Sequence, residues 1–477
     1  MLAVGQRQAA PRMLPRQYTV LSGDSLSAIA QRHGLSLNEL VALNPQLKGR
    51  SLDLIQPGEH LNLGSQSPAP QGPAKKTTPD APGGAPAPTP SKVGALGGMV
   101  GLGGLSGFGV LGAQVPAKVS ETPGYAKLSP AVKQQVDGLA TDKASGAVLA
   151  GLVNSKGFGQ LDAGQQRKTL AVFKESDLGG RFALTGLMNK ELNGKTVALD
   201  PDAQGNTLID NLHRMATSPR DAEFAQHGVS KQGLLSSTIA ESSRPGEINQ
   251  SSKGTCTVTS MQQALTARNP AEYVRLMDGL TGPGGEVKLR NGDTLRRDAG
   301  SVAPDSATTR SPTERVFQAA MMEYSNGALR DYDNATDKNI IRGGAAGRWG
   351  SKFLGVKAET GGLNVHGMKR GFDGLFGTDS KLTTGNSSEM ITRLEGQKPN
   401  TALLSFRWSN NGADGHAVTF DRIENGRLYF RNPWGRNFDA AGSSKDPPPR
   451  KIEDGFTGLE SMSLAEAKSR LIGFIQE

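Results

Sequence analysis

A chain of 477 residues is too long for one ordinary hydrophobic core and is expected to fold as about three units. Its 62 glycines and 27 prolines, set against a hydrophobic share of 36%, exclude one continuous compact body and call for extended stretches between compact ones. The formal charge of +9 is spread along the chain, which excludes a concentrated nucleic-acid footprint. The single cysteine, Cys256, excludes an intramolecular disulfide and a cysteine-based zinc site.

The first residues, MLAVGQRQAAPRMLPRQ, lack the apolar run of a secretory leader, so export is expected by a leaderless route if it occurs, and a cytoplasmic location stays open. Residues 17–64 read as a small βααβ unit. Tyr18 to Val20 make a short strand, Asp24 caps a helix carrying Leu26, Ile29 and Ala30, and a second helix with Leu37, Leu40, Val41 and Leu43 stops at Asn44-Pro45. A turn at Gln56-Pro57-Gly58 leads into the strand His60–Leu63. Residues 65–120, rich in Pro, Ala, Ser and Gly, are expected to be a flexible linker, including the uncharged, glycine-rich run 93–117; a membrane is not an expected partner. Between 121 and 243 apolar residues recur at helical spacing in segments such as LSPAVKQQVDGLA and LIDNLHRMA, with no catalytic constellation among them.

The last segment, 244–477, changes character. A helix is expected to begin at Cys256 after Gly254-Thr255, and a second at Ser311, where Glu314 completes a capping box. Residues 401–408 form a strand, and HAVTFDRI and RLYFRN flank Asn425-Gly426 as a tight hairpin. A thiol nucleophile needs a base, a group to orient the base and donors for the oxyanion. Cys256 at a helix start has unpaired N–H groups and the helix dipole to lower its pKa. His416 opens one hairpin strand and Asn432 ends the other, so pairing brings them together, with Asn432 accepting a hydrogen bond from one imidazole nitrogen while the other faces Cys256. The remaining histidines, at 33, 60, 213, 227 and 366, have no metal-ligand spacing, and no metal or other cofactor is expected.

The segment from Asn249-Gln250 to Cys256, then Gly415-His416-Ala417-Val418 and Asn432-Pro433-Trp434-Gly435, resembles the Gln, Cys, His, Asn order of papain-like and calpain-like cysteine peptidases. The resemblance implies a papain-like α+β catalytic domain with a helix-borne Cys256 and a sheet-borne His416 and Asn432. Gln250 would then donate to the oxyanion and Trp434 would shield the His416–Asn432 bond. Thr257 departs from the aromatic residue that many members carry after the cysteine. The pattern TyrThrValLeuSerGlyAspSerLeuSerAlaIleAla, with Leu40, Asn44 and ProGlyGluHisLeu, is similar to LysM modules. This implies binding of peptidoglycan or a chitin-like glycan between Gly23, Asp24, Ser25 and Leu26 on one side and Leu54, Ile55, Gln56 and Pro57 on the other.

Together these readings lead to a wall-targeted cysteine hydrolase acting on a protein or peptide. Three alternatives stay open: a peptidoglycan stem-peptide hydrolase, a secreted effector using the same triad for deamidation or acyl transfer, and a wall-binding protein with an inactive peptidase domain. A compact NlpC-like or CHAP-like domain fits less well, because the separation between Cys256 and His416 is too wide for it. Residues 121–243 would serve as a pro-region or as a scaffold.

Overall fold

The computed structural model describes residues 17–19, 40, 43–47 and 59–63, and residues 118–477 apart from 193, 306–308, 343–358, 410–414, 435–447 and 455–456. The chain divides into two units, Met1–Gly112 and Ala113–Glu477. In the first, β1 (Gln17–Thr19) pairs antiparallel with β2 (His60–Asn62), Tyr18 lying opposite Leu61. Leu40, Leu47 and Leu61 are buried. Buried Asn44 ties Leu40 to the strand: its Nδ2 donates to the carbonyls of Leu40 and Asn62, and its Oδ1 accepts from the Asn62 amide at 2.7 Å. One side chain thus pairs with three backbone groups, as a buried amide requires. The glycan-contact residues expected at 23–26 and 54–57, and the run 93–117, lie outside the described residues.

The second unit is a mixed α+β body. Its N-terminal part is helical: α1 (Pro130–Leu139), α2 (Lys143–Val153), α3 (Ala163–Glu175), α4 (Leu178–Met188), α5 (Leu208–Thr217) and α6 (Lys231–Ser243). Side-chain oxygens of Asp142, Asp162, Asp177, Thr207 and Ser230 cap five of these helices, which explains why they begin where they do. No break in packing falls near residue 243. Leu170, Leu184 and Leu235 share one continuous core with Val258, Tyr273, Phe317 and Phe372, residues carried by α7 (Cys256–Arg268), α8 (Pro270–Thr281), α9 (Pro312–Asn326) and α10 (Val365–Phe376). The Ser311–Glu314 capping box at the start of α9 is formed as its sequence predicts.

The C-terminal part builds a seven-stranded antiparallel sheet. Its strands are β3 (Lys381–Thr384), β4 (Ala402–Arg407), β5 (Gly415–Glu424), β6 (Arg427–Arg431), β7 (Lys451–Asp454), β8 (Leu459–Ser463) and β9 (Leu471–Gln476). The order is β3-β9-β4-β5-β6-β8-β7. Alternation along β4 sends Leu403 to the large core and Leu404 and Phe406 to a second core on the opposite face, as a pleat with side chains on both sides requires. Helices α11 (Ser387–Glu395) and α12 (Leu464–Arg470) cover that second face. The β5–β6 turn holds Asn425 at φ 49° and Gly426 at φ 72°, left-handed values that an Asn-Gly pair adopts readily and that match the strand twist.

Candidate active site

Helix α7 lies against β5, and this packing carries the nucleophile toward the hairpin. Ser260 Oγ donates to the Ala417 carbonyl at 3.1 Å, and Thr419 Oγ1 donates to the Ser260 carbonyl at 3.0 Å. Most of α7 is buried although it is rich in polar residues; Thr259, Ser260, Gln262, Gln263 and Thr266 are all inaccessible. Each has a partner. Gln262 donates to the Tyr273 hydroxyl, Gln263 to the Ile248 carbonyl, and the two threonines to carbonyls four residues back. Buried polar groups are tolerated on these terms.

Cys256 opens α7 with part of its side chain still at the surface. Protein atoms nonetheless surround the sulfur closely, and burial pushes the thiol above its ordinary value; a hydrogen bond from the Ala417 backbone and others from Thr257 pull it down, while the Asp337 carboxylate adds to the rise. The helix start was expected to lower this pKa. Burial outweighs it, because removing water penalises a thiolate more than one helix end compensates. The bonds from Ser260 and Thr419 set the helix that Cys256 opens against the strand that carries His416.

His416 and Asn432 are both buried, and His416 Nε2 lies 3.0 Å from Asn432 Oδ1. This contact follows from the hairpin register, which pairs Thr419 with Arg431. Trp434 stacks on the imidazole with centroids 4.7 Å apart, and Trp408 covers it from another side at 4.4 Å. Burial drives the His416 pKa down to about 4, opposed by the Asn432 hydrogen bond and assisted by the positive charge of Arg450. Both shifts favour the uncharged forms, thiol and neutral imidazole. Asn432 Nδ2 in turn donates to Glu460 Oε1 at 3.1 Å, and Arg450 Nε approaches Glu460 Oε2 to 2.7 Å at an angle that makes an ion pair without a hydrogen bond.

Gln250 is buried beside the same turn: its backbone amide donates to the Pro433 carbonyl at 2.8 Å. Its side-chain Nε2 donates to the Lys253 carbonyl at 2.6 Å, and its Oε1 is buried without a hydrogen-bond partner among the described residues. The loop between Gln250 and Cys256 is clamped from outside. Lys253 Nζ donates to the Asn334 carbonyl, and the Gly254 amide donates to Asp337 Oδ2, each at 2.6 Å. Sequence reasoning singled out Gln250, Cys256, His416, Asn432 and Trp434; the structure places Gln250, His416, Asn432 and Trp434 around one turn and packs the helix that Cys256 opens against the strand that carries His416. It missed Trp408, Glu460 and Arg450. Glu460 was visible in principle, since it stands two residues before Met462 on β8 and so shares its inward face, where a charge is unusual.

A cavity of about 840 Å³, lined in part by Tyr324, Asn326, Gly362, His366 and Arg370, holds none of these site residues; its Gly362 backs onto Gly254.

Residues 18–64 match the LysM domain family, a module of glycan recognition that directs attention to peptidoglycan and related wall polymers. No curated protein matches the chain, and no solved structure does. Among the described residues no helix is long and apolar enough to cross a membrane.

Proposed function

We propose that this chain is a cysteine hydrolase that cleaves amide bonds with Cys256, His416 and Asn432, held at the cell wall by its LysM domain. One observation carries the reading: a buried imidazole bonded to an amide oxygen at 3.0 Å and walled by two indoles, on the strand that is hydrogen-bonded to the helix that Cys256 opens. A purely structural histidine has no need of this combination.

In the proposed cycle the Cys256 thiol passes its proton to His416 as the sulfur attacks the substrate carbonyl carbon. The C–N bond then breaks, the leaving amine takes the proton from His416, and a thioester remains. Water, giving a proton to the same imidazole, attacks the thioester; the acid leaves and the thiol is restored. The Cys256 amide at the helix start, with the Gln250 side chain, would stabilise the oxyanion, which requires the Gln250 amide to turn from the Lys253 carbonyl toward the cleft. The uncharged forms suit this order, because charge separates only as the sulfur attacks.

The LysM domain favours a substrate in or on the wall, such as a peptidoglycan stem peptide or a wall-associated protein. Its glycan would lie between Gly23, Asp24, Ser25 and Leu26 and Leu54, Ile55, Gln56 and Pro57. The test is incubation of the full chain with casein and with purified peptidoglycan, products being read by mass spectrometry. Cys256→Ala and His416→Ala should each abolish cleavage without unfolding, and Asn432→Ala should leave weak activity. Cleavage by Cys256→Ala at the wild-type rate would remove the proposal.

A further inference from the structure

Glu460 is fully buried on β8, and its two oxygens face different partners: Oε1 accepts from Asn432 Nδ2 at 3.1 Å, and Oε2 lies 2.7 Å from Arg450 Nε. The Arg450 guanidinium lies over the rings of Trp408 and Trp434, 5.5 and 5.8 Å from their centroids, the same indoles that wall His416. A buried carboxylate is costly to keep and rarely favours stability over an apolar residue. Its presence directly behind the imidazole's partner therefore calls for a role.

The inventory of donors and acceptors supplies one. An ionised carboxylate only accepts, so Asn432 must turn its NH2 toward Glu460 and its oxygen toward His416. The Trp434 backbone N–H, 3.4 Å from Asn432 Oδ1, asks for the same orientation. An oxygen at that point needs a donor opposite, so His416 must carry its proton on Nε2 and leave Nδ1 with a free lone pair. That is the tautomer in which Nδ1 can accept a proton from Cys256. A reversed Asn432 amide would place a donor against Nε2, move the proton to Nδ1 and remove the base.

We propose that Glu460, ion-paired with Arg450, is a positioning residue that sets the tautomer of His416 through Asn432; its consequence for turnover rests on the hydrolase reading above. The tautomer itself is measured without turnover. In the full chain labelled with ¹⁵N-histidine, the His416 nitrogens, assigned with His416→Gln, should report Nε2–H in the wild type. Glu460→Met should shift the population toward Nδ1–H, and Glu460→Gln, which can still accept from Asn432, should retain Nε2–H. Arg450→Met provides a second route should Glu460→Met not fold: an unpaired buried Glu460 would take up a proton, become a donor and turn Asn432. On a cleaved peptide, Glu460→Met should lower kcat by at least about tenfold with KM little changed, as loss of the correct tautomer implies. Nδ1–H in the wild type, or unchanged Nε2–H in both Glu460→Met and Arg450→Met, overturns the proposal. Absence of cleavage by the wild type overturns the hydrolase reading instead and leaves the spectra to decide the role of Glu460.

Discussion

Gln250 and His416 show how far single residues can be read. For Gln250, truncation to alanine should lower turnover by a factor on the order of 10² to 10³ with little change in KM, the loss seen when an oxyanion donor is removed. Gln250→Glu should be at least as damaging, since it sets negative charge beside the developing one; steady-state kinetics on a soluble peptide decide this, and near-normal turnover for both variants would remove Gln250 from the site. For His416, the folded pKa of about 4 lies below the ordinary 6.5. The neutral form is the one that folding favours, so this contribution is fully present above pH 6.5 and is lost as pH falls toward 4. It amounts to roughly 3 kcal/mol. Urea midpoints at pH 7 and 4.5 should therefore converge in His416→Gln relative to the wild type, since the glutamine cannot take up a proton. The residue types at 250, 256, 416 and 432 were legible because each carries chemistry in its side chain. The upward shift of the thiol was not, because burial is summed over neighbours distant in the chain.

At the scale of elements, α9 shows a local rule with a long reach. Glu314 closes its own capping box through the Ser311 amide and also accepts from the Asn249 amide at 2.9 Å, directly before Gln250. Glu241 of α6 accepts from the Ser311 and Thr313 hydroxyls and from Tyr273. Burial raises both carboxyl groups, and for Glu314 the charge of Glu241 adds to the rise. Raised carboxyl values mean stability that is fully present below the ordinary pKa of 4.5 and lost as pH climbs through the folded values, about 6 and about 8. Removing one of the two charges in Glu241→Gln should therefore raise stability at pH 8 relative to pH 5 compared with the wild type, read from urea midpoints at the two values. An unchanged difference would mean that the charge of Glu241 does not raise Glu314. The capping box was visible from four consecutive residues, whereas its meeting with α6 and Asn249 was not. Helix α7 likewise shows no clear apolar stripe, because it is buried on nearly all sides and its polar groups find partners on other elements.

For the whole molecule, the two units imply a division of labour that fragments can test. Residues 1–112 should sediment with peptidoglycan or chitin, while residues 113–477 should keep their activity on a soluble peptide and lose it selectively on wall-bound substrate. Residues 244–477 alone should not fold cooperatively, as shown by circular dichroism melting, because removing the helices before 243 strips the large core of Leu170, Leu184, Leu235 and their neighbours. This favours a scaffold over a detachable pro-region for those helices, and a stable, active 244–477 fragment would reverse that conclusion.

The sequence by itself determined whatever is settled within a few residues: the helix caps, the Asn-Gly turn, the alternation of β4 and the pattern of the LysM domain. It also placed His416 and Asn432 at adjoining strand ends, since a tight hairpin leaves little freedom of register. Only the tertiary structure decided the strand order of the sheet, the clamp of Lys253 and Gly254 on the Asn334–Asp337 turn, and the line from His416 through Asn432 to Glu460 and Arg450. Those contacts join residues far apart in the chain, and their energies depend on burial, which no local pattern records.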